Sequence, residues 1–295
     1  MWLVLLAVSS SLGGAWWQGL TGSDSRGPLQ LLRAAAPQRL RVPGGTFTMG
    51  STPDDMVEAL VLCRREILHV SCDAIGPSLR AEGHAHRVTV GSFSMDRSEV
   101  TVGAYQGCVR GGYCAPPAFS PGDRRFDRDE FPVTHVGWDD AVAYCRHVGG
   151  RLATEAQWEF AARGTFARTY PWGNVYNPRL CNHGAFAPDE TDGTDGFIGL
   201  APVGALRDGA TPLGIVDLAG NVSEWVLDTL ELDGAGFGYG AEAVTDPQPK
   251  RTGPHVVRGG SYLDGAPWMR AASRGVMGLP RSPSVGFRCV YSDTH

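Results

Sequence analysis

The stretch from residue 170 to residue 254 constrains the fold most, because it shows almost no helical or strand periodicity. It contains turn dipeptides instead, among them Trp172-Gly173, Asp192-Gly193 and Gly220-Asn221. A compact domain rarely keeps so long an irregular stretch without something other than an apolar core to organise it. Bound ions are one physical answer, since oxygen ligands on tight turns can replace apolar contacts. The 40 glycines and 20 prolines among 295 residues predict short elements and many turns along the whole chain.

Regular elements are predicted on either side of that stretch. Apolar residues at helical spacing predict helices over residues 54–69, 102–110, 139–148 and 155–163. Thr154 with Gln157 three residues later forms the capping-box pattern that begins the last of these. Alternation of apolar and polar residues predicts strands over 41–50, 86–95, 255–262 and 285–291.

The N-terminal segment, residues 1–15, has the pattern of a secretory signal peptide. Its apolar run extends from Trp2 to Val8, and the small residues Gly13, Gly14 and Ala15 suit a cleavage site, although no positive charge precedes the run. An uncleaved membrane anchor is the alternative. Residues 16–40 are interpreted as a linker and residues 41–292 as a single large domain. We therefore expect a secreted or otherwise extracytoplasmic protein, with membrane contact only if the anchor is retained.

The charged residues argue against one class of partner. The formal net charge is -5, and no run of lysines and arginines occurs anywhere in the chain. Binding to nucleic acid requires clustered positive charge that neutralises phosphates. Nucleic acid is therefore not expected as a partner.

Seven cysteines suit an oxidising compartment, where disulfides persist. They are Cys63, Cys72, Cys108, Cys114, Cys145, Cys181 and Cys289. The first two pairs, Cys63 with Cys72 and Cys108 with Cys114, are close enough in sequence to staple local loops. Spacing alone does not establish connectivity, and free buried thiols remain the alternative.

Eight separated strings together resemble one known family. They are Gly44–Ser51, Asp96–Thr101, Phe131–Trp138, Arg151–Phe160, Tyr170–Asn174, Gly220–Trp225, Val257–Tyr262 and Gly286–Cys289. The pattern, which runs from Arg41 to Tyr291, is similar to that of the formylglycine-generating-enzyme (sulfatase-modifying factor) family. The resemblance implies an α+β domain with a C-type-lectin-like fold and little regular secondary structure. It also implies a disulfide between Cys145 and Cys289.

The resemblance bears directly on activity. The family oxidises a cysteine of a sulfatase to formylglycine, using oxygen and a copper(I) ion held by two cysteines. The matching positions here are Asp264 and Met269. Copper(I) is a soft ion that prefers thiolates, so neither residue replaces the cysteine pair, and Cys181 alone cannot form a two-sulfur site. The chain is therefore interpreted as a divergent member without copper and without the oxidase activity of the family.

Calcium ligands are better preserved than copper ligands in the resemblance. A first structural site would use the side chains of Asn182 and Asp195 with the carbonyls of His183 and Phe197. A second site would use the side chains of Asp217 and Glu224 with the carbonyls of Gly220 and Val222. Hard oxygen donors on turns suit calcium. The alternative is that these residues serve only the turns, or that Glu224 pairs with an arginine.

The resemblance also places a ligand groove in this chain. Its lining would be Ser261, Tyr262, Asp264, Trp268 and Arg270. We interpret the protein first as a module that binds a peptide, protein or small ligand through this groove, or as a structural component of a secreted assembly. The alternative is an oxidoreductase of the same family with a rearranged active site. A structural Asp264 predicts a buried hydrogen bond, whereas a catalytic Asp264 predicts exposure in a cleft beside other titratable groups.

Overall fold

The computed structural model describes residues 38–66, 71–185, 192–230, 240, 242–249, 253–276 and 280–293. The predicted signal peptide and residues 16–37 of the predicted linker lie outside this part. Within it, no helix combines the length and apolar character needed to cross a membrane.

Five α-helices lie in the described part of the chain. They are α1 (Pro53–Glu66), α2 (Gly76–Ala81), α3 (Val102–Arg110), α4 (Trp138–His147) and α5 (Glu155–Arg163). The four predicted helices are confirmed at α1, α3, α4 and α5, although the predicted end of α1 at residue 69 lies outside the described residues. Thr154 Oγ1 accepts from the Gln157 amide at 3.2 Å, and Gln157 Oε1 accepts from the Thr154 amide at 3.2 Å. The predicted capping box is therefore present.

Eleven short strands form three sheets in the same described segments. The strands are β1 (Arg39–Val42), β2 (Gly45–Met49), β3 (His86–Val90), β4 (Phe93–Asp96), β5 (Arg151–Leu152), β6 (Ser223–Thr229), β7 (Val244–Thr245), β8 (His255–Arg258), β9 (Arg274–Val276), β10 (Val285–Gly286) and β11 (Cys289–Ser292). The sheet orders are β1-β4-β11-β5, β10-β6-β8-β9 and β2-β3-β7. The mixture of helices with several small sheets confirms the predicted α+β class.

The first sheet joins the two ends of the domain. β1 and β11 both pair antiparallel with β4, with Arg39 opposite Asp96 and Val290 opposite Met95. The domain boundary predicted at residue 41 is therefore two residues late, because the strand begins at Arg39. The four residues from Arg39 to Val42 alternate between polar and apolar, so the sequence did carry a signal for the earlier start.

The strand β6 corrects the prediction for residues 170–254. It runs through the middle of the second sheet, parallel to β10 and antiparallel to β8. The sequence did not reveal it because five of its seven residues are buried, so both faces carry buried side chains and the alternation of a half-exposed strand is missing.

Helix α5 lies at the centre of the domain. Every residue from Glu155 to Arg163 is buried, and the helix contacts β2, β3, β6 and β8. Trp158 packs in one apolar cluster with Phe47 and Val256. The second and third sheets thus both pack against this helix.

Three disulfides join the predicted cysteine pairs, namely Cys63 with Cys72, Cys108 with Cys114 and Cys145 with Cys289. The last bridge connects α4 to β11 across 144 residues. The bridge between Cys63 and Cys72 ties α1 to the 3₁₀ turn before α2. Cys181 is the remaining thiol, and it is buried.

Candidate functional site

Asp264 lies on a tight turn that follows β8. Gly259 and Gly260 have φ angles of 97° and 69°, a region that favours glycine. A Cβ on Gly260 would lie 2.7 Å from Met269 Cε, so the turn also needs glycine to approach the following segment. Ser261 then donates to Asp264 Oδ2 from both its amide and its hydroxyl, at 2.9 and 2.6 Å. Serine and aspartate together therefore close the turn.

The two carboxyl oxygens of Asp264 differ in their hydrogen bonds, because Ser261 holds Oδ2 only. Oδ1 accepts no hydrogen bond from the described residues. Burial raises the pKa of the carboxyl, and the two Ser261 donors lower it, with no nearby cation acting on it. Asp264 thus makes the hydrogen bond expected of a structural residue, and its second carboxyl oxygen has no hydrogen-bond partner among the described residues.

Asp264 and Trp268 line a cavity of about 340 Å³. Its walls come from α2, from the turn at residues 259–268 and from β8 and β9. The other ionisable residue of this lining is Arg274, whose Nε and Nη2 bind the two carboxylate oxygens of Glu155 at 2.6 and 2.8 Å. A catalytic Asp264 would require a cleft with several free titratable groups beside it. The described residues do not form such a cleft.

The five predicted groove residues do not line one cavity. Ser261 is buried and holds Asp264, whereas Tyr262 lines a different cavity of about 320 Å³ beside Arg125. Arg270 is buried against Glu82, with contacts of 2.7 and 2.8 Å, and lines a third cavity of about 310 Å³. Asp264 and Trp268 are thus the two that the fold brings together.

Sequence reasoning missed the contribution of residues 53–82 to this region. Leu62 of α1 packs in a buried cluster with Met269, and Trp268 packs against the cluster around Cys63 and Cys72. Ser78 of α2 lines the cavity. The available signal in the sequence was the close spacing of Cys63 and Cys72. It predicts a local disulfide but does not show which part of the domain this segment packs against.

Met269, which the family resemblance matches to the second copper-binding cysteine, is enclosed. Met269 is 0% exposed and Cys181 is 1% exposed, and the two share one apolar cluster with Tyr170. Burial raises the pKa of the Cys181 thiol. The neutral thiol, not the thiolate that binds metals, is therefore the favoured form.

The residues predicted for the first calcium site lie in adjacent loops. Asp195 accepts from the amides of His183 and Phe197, each at 2.8 Å. The amide group of Asn182 donates to the Gly199 carbonyl at 2.8 Å, while its Oδ1 is buried with no partner among the described residues. Because a buried acceptor without a donor is costly, this oxygen is suited to a cation.

Glu224, predicted for the second calcium site, is engaged by an arginine. Arg288 Nη2 lies 2.6 Å from Oε1 and its Nε lies 2.8 Å from Oε2, and Trp158 Nε1 donates to Oε2 at 2.8 Å. The alternative pairing with an arginine is thus the observed one. Its carboxylate already has a cation beside it.

Asp217 has a different carboxylate neighbour, Glu99, which sequence reasoning missed although it lies within the string Asp96–Thr101. Glu99 Oε1 accepts from Asn221 at 3.0 Å, and Oε2 is buried without a partner among the described residues. Burial and the neighbouring Asp217 raise the pKa of Glu99, and burial raises the pKa of Asp217. In the described segments, no three His, Cys, Asp or Glu residues converge as a metal-binding group.

The backbone at Gly220 joins these two regions. Its φ is 80°, and a Cβ there would lie 2.1 Å from the Asn182 carbonyl oxygen. The next amide, that of Asn221, donates to the same carbonyl at 2.7 Å. Gly220 therefore permits the two loops to touch, and Val222, which is buried, lies immediately before β6.

A family model, the sulfatase-modifying factor enzyme 1-like domain, matches residues 28–293. The chain belongs to this family. It is 35% identical to a formylglycine-generating enzyme of Thermomonospora curvata over 84% of this chain and 91% of that protein. It is also 32% identical to the inactive C-alpha-formylglycine-generating enzyme 2 of Mus musculus over 90% of this chain and 89% of that protein. The predicted family is confirmed, and its relatives include active and inactive forms.

Solved structures confirm the fold of the family member. PvdO from Pseudomonas aeruginosa superposes with a TM-score of 0.61 at 23% identity, over 87% of this chain and 94% of that chain. CarF superposes with a TM-score of 0.57 at 21% identity, over 88% of this chain and 99% of that chain. At such identities the likeness concerns architecture alone.

Proposed function

We propose that this protein is an extracytoplasmic, ligand-binding member of the formylglycine-generating-enzyme family that does not carry out copper-dependent cysteine oxidation. The supporting observation comes from the sequence: by the family resemblance, Asp264 and Met269 match the positions of the two copper-binding cysteines. Six of the seven cysteines are in disulfides, and Cys181 is enclosed. A pair of free thiols is therefore missing from the whole chain.

The residues present do not fit copper(I). Asp264 is a hard oxygen donor, one of whose oxygens is held by Ser261. Met269 is a neutral thioether packed in an apolar cluster. We therefore derive no reaction step through copper.

Ligand binding is supported by the cavity at Asp264 and Trp268. Its volume of about 340 Å³ lies within the range of small-molecule sites. Its lining combines apolar side chains such as Leu230 and Val257 with one carboxyl group. Pockets that bind ligands typically have this mixture, in which apolar area supplies affinity and a few polar groups supply orientation.

The second candidate is an oxidoreductase with a rearranged site. The observation in its favour is that Cys181 and Met269, both sulfur-bearing, share one buried cluster. The raised pKa of the Cys181 thiol opposes it, because a metal ligand must be the thiolate. The non-oxidase function is therefore the one that the geometry supports better.

Calcium is proposed as a structural ion, with different support at its two sites. At the first, the unpartnered Asn182 Oδ1 and the carboxylate of Asp195 would hold it together with the carbonyls of His183 and Phe197. At the second, Asp217 would act with Glu99 rather than with Glu224, alongside the carbonyls of Gly220 and Val222. A bound cation would order the turns that connect these loops.

An oxidising, extracytoplasmic location is supported by the three disulfides. Such bridges persist in secreted and lumenal compartments and are rare in the cytosol. Membrane contact would require the N-terminal segment to remain as an anchor.

The test is a copper(I) titration of the purified protein against a chromogenic chelator, together with oxygen consumption in the presence of a sulfatase-type cysteine peptide. The Thermomonospora curvata enzyme, prepared in parallel, provides the positive control. We expect neither tight copper(I) binding nor peptide oxidation by this chain. Tight binding with turnover would refute the proposal and favour the rearranged oxidoreductase.

A further inference from the structure

We propose that the cavity at Asp264 selects ligands that carry a positively charged amine, such as an alkylammonium group. This inference rests on the proposed ligand-binding function and names the ligand class for the same cavity. It arises from the charge that the cavity leaves unneutralised and from the shape of the space around it.

The first argument is the free oxygen of Asp264. Ser261 fixes the carboxyl through Oδ2 and so orients it, while Oδ1 has no hydrogen-bond partner among the described residues. An ammonium group donates up to three hydrogen bonds, and one of them would be accepted by this oxygen. A nearby cation also favours the ionised carboxylate, which burial by itself disfavours.

The second argument is that the arginine of the cavity does not serve this role. Arg274 donates to both carboxylate oxygens of Glu155, and its Nη1 donates to the Ala81 carbonyl at 2.7 Å. The guanidinium is buried by these contacts and ties β9 to α2. Its charge is paired with Glu155, which Arg258 Nη1 also approaches at 3.2 Å, and no arginine of the described residues acts on Asp264. The negative charge of Asp264 therefore remains for a ligand.

The third argument concerns the remaining walls. Trp268, four residues after Asp264, also lines the cavity, and tryptophan rings attract organic cations. Leu230 and Val257 add apolar surface, and Gly259 and Gly260 contribute backbone atoms to the wall. A volume of about 340 Å³ therefore suits an aliphatic chain that ends in a single charged group.

Two other ligand classes fit less well. An organic anion would place its charge against the Asp264 carboxylate without a free arginine to balance it. A metal ion would require several oxygen or nitrogen donors, whereas Asp264 provides the one carboxylate of the described lining. An organic cation needs one carboxylate and an aromatic or apolar wall, which this cavity has.

The experiment compares hexylammonium, hexan-1-ol and hexanoate, which share a six-carbon chain and differ in the head group. Binding to the full chain is measured by ligand-observed NMR at pH 7.5 and low salt. Asp264→Asn is the test variant, because asparagine keeps an acceptor for Ser261 while removing the charge. Asp54→Asn, which removes an exposed carboxylate at the start of α1, is the matched control.

We expect hexylammonium to bind at least tenfold more tightly than hexan-1-ol, and hexanoate to bind more weakly than either. Asp264→Asn removes that preference while the affinity for hexan-1-ol changes less than twofold, and Asp54→Asn leaves both affinities unchanged. Equal affinities of the wild-type protein for hexylammonium and hexan-1-ol would overturn the inference, even if the variant failed to fold. So would an ammonium preference that survives in a folded Asp264→Asn variant.

The copper(I) titration separates this inference from the function on which it rests. Lack of ammonium preference in a protein that binds no copper(I) refutes the ligand class alone. Copper(I) binding with peptide oxidation refutes the proposed function whatever the ammonium result.

Discussion

Replacing Glu224 by glutamine tests the interaction that the structure assigns to this residue. Glu224 and Arg288 are each 1% exposed, and two contacts of 2.6 and 2.8 Å join them. The neutral amide in the Glu224→Gln variant would remove the main counter-charge of the buried guanidinium and leave only the weaker influence of Glu99 and Asp217. It would also weaken the bond from Trp158 Nε1. The Val216 carbonyl, which Arg288 also contacts at 2.9 Å, cannot neutralise that charge.

Breaking a buried ion pair on one side costs about 3–5 kcal/mol of unfolding free energy. For a domain of this size that loss corresponds to a fall in Tm of about 6–20 °C. Glu130→Gln is the control, because its pair with Arg128 has an equally short contact of 2.6 Å but side chains that are 47% and 50% exposed. Its expected cost is at most about 1 kcal/mol.

Urea unfolding followed by circular dichroism measures both variants, once in EDTA and once in 1 mM calcium. We expect calcium to raise the stability of the wild-type protein and of Glu224→Gln by the same amount, since the carboxylate serves Arg288. A loss as small as that of Glu130→Gln would refute the ion-pair argument. A calcium response abolished in Glu224→Gln would show that Glu224 is a ligand after all.

Three further changes test other parts of the structure. Burial and the charge of Glu155 raise the pKa of Asp228 to about 7. Because the folded protein then holds this proton more tightly than the unfolded chain, the contribution of Asp228 to stability falls as the pH rises from about 4 to 7, by at most about 4 kcal/mol. Asp228→Asn, which keeps an acceptor for the amide of Glu155, should flatten that dependence in urea titrations at several pH values, and an unchanged slope would contradict it. Replacing Cys145 and Cys289 together by serine should cost roughly 4–5 kcal/mol in the chain-entropy model, and a melting point within about 2 °C of wild type would count against it. Asp195→Asn should remove most of the increase in Tm that calcium gives relative to EDTA, and an undiminished increase would exclude the first calcium site.

Some of this structure follows from local sequence, because the relevant interactions span only a few residues. Thr154 and Gln157 predict the start of α5, since the capping box is made by groups three residues apart. Cys108 and Cys114 lie close enough for a local bridge to be expected from spacing. The strings that resemble the family also predict that Asp264 and Met269 stand where the family has its copper-binding cysteines, and this prediction requires no coordinates.

Tertiary structure alone decided which side chains share a site. The predicted groove residues lie within ten positions of one another, namely Ser261, Tyr262, Asp264, Trp268 and Arg270. Because the chain turns and then forms a 3₁₀ segment, these residues line different cavities or lie in the interior. Burial on both faces likewise concealed β6, because alternation disappears when neither side of a strand meets water.

Pairings between distant residues were also beyond the sequence. Glu224 meets Arg288 across 64 positions, and Arg270 meets Glu82 across 188. The sequence contains several arginines that could pair with each carboxylate, and only the packing of the fold determines which of them does. The sequence by itself thus determined the family and the caps, and it predicted the absence of the copper-binding cysteine pair. The fold decided which carboxylates are neutralised by arginine and which, like Asp264, keep a free oxygen, because that choice depends on long-range contacts in a water-poor interior.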